Sequence, residues 1–202
     1  MSTTVEYKPT AELVRRLRED TGAGMMDCRN ALVQAAGDYE AAKRELSELG
    51  VAKAAKKQER AANEGLVCSY IHAGGKIGVL LEINCETDFV ARNERFKELS
   101  RDVAMHIAAM SPKYLDRASV SPEVLDEVKR ELRASVPEGK PENVAEKILE
   151  GKLTKWYEEH VLLDQAFVKD DAMTISELIA SVVAVLGERI HVRRFIKFAL
   201  GE

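Results

Sequence analysis

The stretch from Leu66 to Met110, LVCSYIHAGGKIGVLLEINCETDFVARNERFKELSRDVAMHIAAM, decides how this chain folds. Two runs with strand character, Leu66–Ile71 and Ile77–Asn84, flank a turn at Ala73, Gly74, Gly75 and Lys76, and glycines accept the positive φ that a tight hairpin needs. The second run places Ile77, Val79, Leu81 and Ile83 on one face. The chain then leaves the sheet at Glu86, Thr87 and Asp88, passes Phe89 and Val90, and enters a helical pattern of Phe96, Leu99, Val103 and Ile107. Phe89 thus falls on a short connection between two well-formed elements, and the residues leave open whether it turns into the core or stands out as a contact. His72 lies at the mouth of the glycine turn.

The rest of the chain supplies helices for such a sheet. Thr10 caps a first helix with Leu13, Val14 and Leu17 on one face, ended by Thr21, Gly22, Ala23 and Gly24. A second, from about Met25, turns Cys28, Ala31, Leu32 and Ala35 inward and stops at Gly37. Asp38 caps a third, with Tyr39, Ala42, Leu46 and Leu49 recurring up to Gly50. Three short helices make a module over 1–50, near the lower size limit for independent stability. Met25 and Met26 either fill its small core or face out as adaptable thioether contacts. A linker helix is expected over 51–63, and an α+β core over 64–202.

Within that core, Pro112 stops the central helix and Pro122 opens another. Pro141 begins a pattern of Val144, Ile148 and Leu149 that Gly151 interrupts and Leu153, Trp156, Tyr157 and Val161 resume, so two short helices form a helical arm at about 141–163. A loop over 165–171 leads to a capping box at Thr174 and Glu177 and a helix closed by Gly187. Ile190–Leu200 alternates as a half-buried strand that joins the hairpin, while Arg194 breaks its inner set. The fold class is α+β: an amino-terminal three-helix module, a small antiparallel sheet covered by helices, and the arm.

Composition narrows the function classes. With 202 residues, 46% apolar and 32% charged, the chain can bury a sizeable core, and a net charge of −4 gives no overall positive field for nucleic acid. The basic run Lys53, Lys56, Lys57 and Arg60 is short and lacks interleaved aromatics, so it reads as a solvated face. No apolar stretch approaches the ~20 residues of a membrane span and no leader pattern is present, which points to the cytoplasm. Cys28, Cys68 and Cys85 form no metal or redox spacing, and pairing His72 with Ile77 sets Cys68 opposite Leu81, not opposite Cys85.

Catalytic constellations are weak. Glu86 and Asp88 could hold Mg²⁺ on a turn, but two carboxylates without a phosphate loop or further ligands say little. Gly74-Gly75-Lys76 lacks the spaced first glycine and the following Ser or Thr of a phosphate loop, and sits inside a hairpin. His72 has no neighbouring acid or nucleophile in the sequence and reads as an exposed contact. Candidate contacts therefore outnumber candidate catalysts, which favours a protein that acts by binding another protein.

Two longer motifs carry a family resemblance. TGAGMMDCRNAL from Thr21 to Leu32 and NCETDFVARN from Asn84 to Asn93 resemble the two signatures of bacterial elongation factor Ts. Ala104–Ala109, Gly139–Lys152 (GKPENVAEKILEGK), Phe167–Asp171 (FVKDD) and Val192–Phe195 (VRRF) extend the likeness over nearly the whole chain, in the short form with a single core repeat. The resemblance implies a guanine nucleotide exchange factor for elongation factor Tu, without covalent chemistry and without a cofactor. It implies an amino-terminal domain similar to ubiquitin-associated modules, with Met25, Met26 and the Thr21–Gly24 turn approaching the partner's nucleotide-binding domain. It further implies that Thr87, Asp88, Phe89 and Val90 enter near the partner's magnesium and phosphate site, and that His72, with Gly74 and Gly75, touches the partner's far end.

One hairpin cannot readily reach both places. A homodimer could, giving a 2:2 complex with elongation factor Tu in which 64–202 also serves as dimerisation domain. The partner is expected in GDP-bound and nucleotide-free states, with no direct nucleic acid or membrane contact. By linkage, a ~10³-fold weakening of GDP corresponds to about 4 kcal/mol of coupling. A non-catalytic GTPase-binding or chaperone-like protein is the alternative.

Overall fold

The structure, a computed structural model, describes residues 7–137, 139 and 141–202. Residues 1–6 of the expected module, Glu138, and Lys140 of the GKPENVAEKILEGK motif lie outside the described residues.

The anticipated hairpin is present as β1 (Glu64–Ile71) and β2 (Ile77–Cys85), and β5 (Ile190–Ala199) lies on the other side of β2, so the three-stranded sheet has the order β1-β2-β5. His72 N–H donates to the Ile77 carbonyl at 2.9 Å, which is the hairpin register expected from the turn. Leu200 N–H donates to the Lys76 carbonyl at 2.8 Å and ties the end of β5 to the start of β2. Val79, Leu81, Ile83 and Cys85 are buried along one face of β2, as its alternation requires. The chain is α+β, with helices and a small antiparallel sheet.

Two compact units are recognised. The first comprises residues up to Val67, Glu82–Ser100 and Ser176–Arg193. In it α1 (Ala11–Thr21), α2 (Met25–Gln34) and α3 (Tyr39–Ala55) surround a core of Val14, Leu17, Cys28, Ala31, Leu32, Ala42 and Leu46. Thr10 and Asp38 cap α1 and α3 through their side chains, and Gly22 ends α1 at φ 70°, a left-handed value that suits glycine. Contrary to expectation, α3 does not stop at Gly50 but continues to Ala55, and the following residues form turns, not a linker helix. Gly50 is buried in mid-helix because α8 (Ile175–Leu186) passes close by: a Cβ there would lie 3.6 Å from the Ala180 carbonyl oxygen. Helix–helix approach thereby offsets the roughly 1 kcal/mol that glycine costs inside a helix. Leu49, expected inward, is exposed.

The second unit comprises Cys68–Leu81, Arg101–Ile175 and Arg194–Glu202. Its buried residues include Val103, Ala104, Ile107 and Ala108 of α5 (Glu94–Met110). Here α6 (Pro122–Ala134) packs on α7 (Glu142–His160), and Val120, Tyr157 and Val161 form a small separate core. The pattern around Gly151 predicts two short helices, yet α7 runs through it as one helix of 19 residues. No atom lies within 4 Å of where a Cβ on Gly151 would be, so flanking helix formers, not packing, carry the helix across that glycine. The expected loop at 165–171 is instead a short ribbon, β3 (Ala166–Phe167) with β4 (Asp170–Thr174). Buried Gln165 organises it: His106 Nδ1 accepts the Val168 N–H at 3.2 Å, which leaves Nε2–H to donate to Gln165 Oε1 at 3.0 Å, and Gln165 Nε2 donates to the Glu159 carbonyl at 2.9 Å. Burial holds the His106 pKa below its ordinary value.

The carboxyl-terminal strand departs from simple alternation. Ile190 and Val192 are buried, Arg193 and Arg194 are both exposed, and beyond them Ile196 and Phe198 are exposed. The alternation changes phase at 193–194, so apolar residues expected on the inner set face out. Among the described residues no helix is long and apolar enough to cross a membrane.

Candidate functional site

In the first unit, β2 ends at buried Cys85, whose Sγ–H donates to the Thr87 carbonyl at 3.1 Å. Burial is the main cause that pushes this thiol up to about 11, with the Glu188 charge adding to it, so it stays protonated. Thr87 then caps α4 (Asp88–Ala91), its Oγ1 accepting the Val90 N–H at 3.3 Å. Val90 and Ala91 are buried on the inner side of this single turn, whereas Phe89 is 78% exposed. Helix geometry explains the split: three consecutive residues on one turn cannot all face inward, and Val90 and Ala91 take the inner side. The choice the sequence leaves open is resolved with Phe89 outward. Asp88 is exposed and pairs with Arg92 at 2.8 Å.

Glu86 and Asp88, the two carboxylates that could hold Mg²⁺, are otherwise engaged. Glu86 accepts the Arg189 N–H at 2.6 Å and a guanidinium N–H of Arg60 at 3.3 Å, contacts that hold its pKa below the usual carboxylate value. The basic run also has local partners: Lys53 pairs with Asp27 at 2.7 Å and Arg60 with Glu86, while burial and then Arg60 lower the Lys57 pKa. Among the described residues no group of three or more His, Cys, Asp or Glu is placed to hold a metal.

Met25 and Met26 open α2 and are 46% and 62% exposed. They do not fill the module core, because Cys28, Ala31 and Leu32 occupy the inward positions of that helix. The preceding turn abuts the helix that follows Phe89: a side chain at Gly22 would run into the Arg95 guanidinium. The first unit therefore holds both the Thr21–Met26 segment and the Thr87–Val90 segment.

In the second unit, His72 is exposed at the hairpin turn. Gly75 N–H donates to the His72 carbonyl at 2.9 Å, and Gly74 and Gly75 have φ of 91° and 69°, so the turn itself demands glycine although open space surrounds both. The Tyr70 hydroxyl and His72 Nδ1 form a hydrogen bond of 3.1 Å, with ring centroids 6.2 Å apart. The same unit exposes apolar side chains on the sheet, Ile71, Leu80, Ile196 and Phe198, with Leu200 just beyond. Ile71 and Gly78 share a face, since a Cβ on Gly78 would lie 3.0 Å from Ile71 Cδ1.

Glu188, between α8 and β5, is a residue that sequence reasoning passed over. Its carboxylate accepts the Glu86 and Thr87 N–H groups at 3.1 and 3.0 Å and the Thr87 hydroxyl at 2.7 Å. No local motif announces it, because only the pairing of β2 with β5 brings it beside residues 101 and 102 positions away.

Comparison with known proteins agrees with the motif resemblance. The family model described as Elongation factor TS matches residues 40–202. Elongation factor Ts of Syntrophomonas wolfei is 54% identical over 194 residues, covering 96% of this chain and 91% of that protein. The Geotalea daltonii protein of the same name is 55% identical over 194 residues, with 96% and 90% covered. That of Fervidobacterium nodosum is 52% identical over 194 residues, with 96% and 98% covered. A family match over well over half the chain, with identities above 50% along nearly all of it, shows that the chain belongs to the elongation factor Ts family.

Proposed function

We propose that this chain promotes GDP release from elongation factor Tu by inserting Asp88 and Phe89 near the magnesium and phosphate site, so that GTP can bind during translation elongation. Family membership supports the general role, guanine nucleotide exchange at elongation factor Tu without covalent chemistry. The observation that carries the finer reading is Phe89, 78% exposed on a turn whose other apolar residues are buried. An exposed aromatic on a rigid support suits insertion between partner helices, which displaces the groups that hold Mg²⁺ and phosphate. The coupling is reciprocal: whatever GDP loses in affinity for the complex, the factor loses in affinity for the GDP-bound partner.

The 1–50 module, similar to ubiquitin-associated domains, docks on the nucleotide-binding domain through Met25, Met26 and the Thr21–Gly24 turn. Exposed methionines at the start of α2 support this, since thioether side chains adapt to an apolar partner surface. His72, presented by Gly74 and Gly75, holds the partner elsewhere. The chain works as a cytoplasmic homodimer in a 2:2 complex, with 64–202 as dimerisation domain, the turns between α3 and residue 64 as linker and the 141–163 segment as an arm. The apolar sheet face around Leu80 and Phe198 supports the dimer, because such a face gains by being covered.

The deciding experiment is release of labelled GDP from purified elongation factor Tu with the factor at a small fraction of the partner concentration. Many GDP molecules released per factor is the expected result. Release limited to one per factor identifies a sequestering protein and overturns exchange.

A further inference from the structure

Two carboxylates are crossed at the base of the Phe89 turn. Glu188 takes three donors from the chain leaving β2: Glu86 N–H at 3.1 Å, Thr87 N–H at 3.0 Å and Thr87 Oγ1–H at 2.7 Å. Glu86 in return takes Arg189 N–H at 2.6 Å, on the chain entering β5, together with Arg60 at 3.3 Å. Arg189 also donates to the Arg60 carbonyl. Each carboxylate thus satisfies the backbone beside the other, and hydrogen bonds to charged acceptors are the strong ones.

The clamp sets an orientation and not merely a position. A four-residue helix has too few internal hydrogen bonds to hold itself. Thr87 Oγ1 gives its hydrogen to Glu188, so its lone pairs remain for the Val90 N–H at 3.3 Å. The direction of that hydroxyl, and with it the first turn of α4, follows from where Glu188 stands. Phe89 is two residues from Thr87, and its ring is 78% exposed, so its orientation follows from the turn that carries it: burial of Val90 and Ala91 sets which side faces in, and the Thr87 cap sets how the turn begins.

We infer that Glu188 is a positioning residue for nucleotide exchange, holding α4 through Thr87 so that Phe89 is presented in its working orientation. This rests on the reading of Phe89 as the exchange tip. Glu188 itself contacts no partner group in this role.

The test is stimulated GDP release measured over a range of elongation factor Tu concentrations, for Glu188→Ala, Glu188→Gln and Thr87→Val, each alone and combined with Phe89→Ala. Misplacing a reacting element by an ångström costs about 10²-fold in favourable cases, so Glu188→Ala is expected to lower the maximal rate about tenfold or more. The half-saturating concentration should move less than about threefold, because the docking surfaces are untouched. Glu188→Gln keeps one acceptor oxygen and should fall between, as should Thr87→Val, and these two carry the test if Glu188→Ala does not fold. In the Phe89→Ala background none of the three should cause a further loss.

An unchanged maximal rate in Glu188→Ala and Glu188→Gln, with Phe89→Ala slow, overturns the positioning role alone. So does an equal loss with and without Phe89, or a change confined to half-saturation. Phe89→Ala with normal release overturns the reading beneath it.

Discussion

Replacing Phe89 by alanine is the perturbation whose size follows most directly from the structure. A phenylalanine side chain buries on the order of 200 Å² when fully covered. At 78% exposure, about 150 Å² remains in contact with water in the free chain. Covering that area within a partner is worth about 3–4 kcal/mol at about 25 cal/mol/Å². In rate or affinity this is about 10²–10³-fold, the scale that a ~10³-fold weakening of GDP demands. The folded chain loses far less: only about a fifth of the ring is covered at home, and alanine is the better helix former at that position, so the stability change should stay within about 0.5 kcal/mol. The assay is stopped-flow release of labelled GDP from elongation factor Tu, beside a melting curve and a solution mass. A hundredfold slower stimulated release with the same melting midpoint and chain number is expected. A loss below about threefold in a protein that melts normally would refute the argument, since the exposed area then gains nothing on binding.

His72→Ala should raise the partner concentration needed for half-maximal exchange and leave the maximal rate near wild type; a reduced maximal rate at saturation would contradict its role as a holding contact. Phe198→Glu places a charge on the exposed apolar face and should lower the solution mass from two chains to one, as read by light scattering; an unaltered dimer would exclude that face. His106 is buried neutral with its pKa below the ordinary 6.5, so the unfolded chain binds the extra proton more readily. Stability is therefore complete above about pH 6.5 and lost as pH falls below it toward the lowered folded value, with His191 adding in the same sense, and a melting midpoint flat from pH 7.5 to 5.5 would disprove this.

Elements with strong local patterning were legible in the sequence. The hairpin, the first two helices, the helix after Phe89 and the last strand all occur close to their expected bounds. Glycine was the poorer guide. At Gly50 and Gly151 it sits inside continuous helices, because its cost of about 1 kcal/mol is small beside helix–helix packing or a long run of helix formers. The β3–β4 ribbon escaped because strands of two and five residues leave no period to detect, and its order comes from the His106–Gln165 pair, 59 residues apart. Outward placement of Ile196 and Phe198 was hidden by the phase change at 193–194, which no alternation pattern encodes. Met25, Met26 and Phe89 were visible as residue types, but their exposure depended on which neighbours took the inward positions. Glu188 was invisible for a simpler reason: its partners are a strand pairing away.

The two exposed tips are built on different principles, and the difference suits the different tasks proposed for them. The Phe89 turn is fastened on every side, by the Thr87 cap, by Glu188 at its base and by burial of Val90 and Ala91. Such fastening removes ordering entropy that would otherwise be subtracted from the gain on insertion, at roughly 1–2 kcal/mol for each backbone residue fixed. A wedge needs this, because a tip free to swing would yield before it displaced a partner helix. The His72 turn is tied across its mouth by two backbone hydrogen bonds, yet open space surrounds Gly74 and Gly75, and the His72 side chain is steadied by Tyr70. That construction fixes the path of the chain and presents the imidazole at the exposed turn, where it can rest on a surface already in place. It can add affinity equally before and after GDP leaves, and uniform binding of that kind shifts no equilibrium. In the proposed exchange reading, differential work falls on the rigid tip, and its support by Glu188 would then bear on exchange and not only on folding.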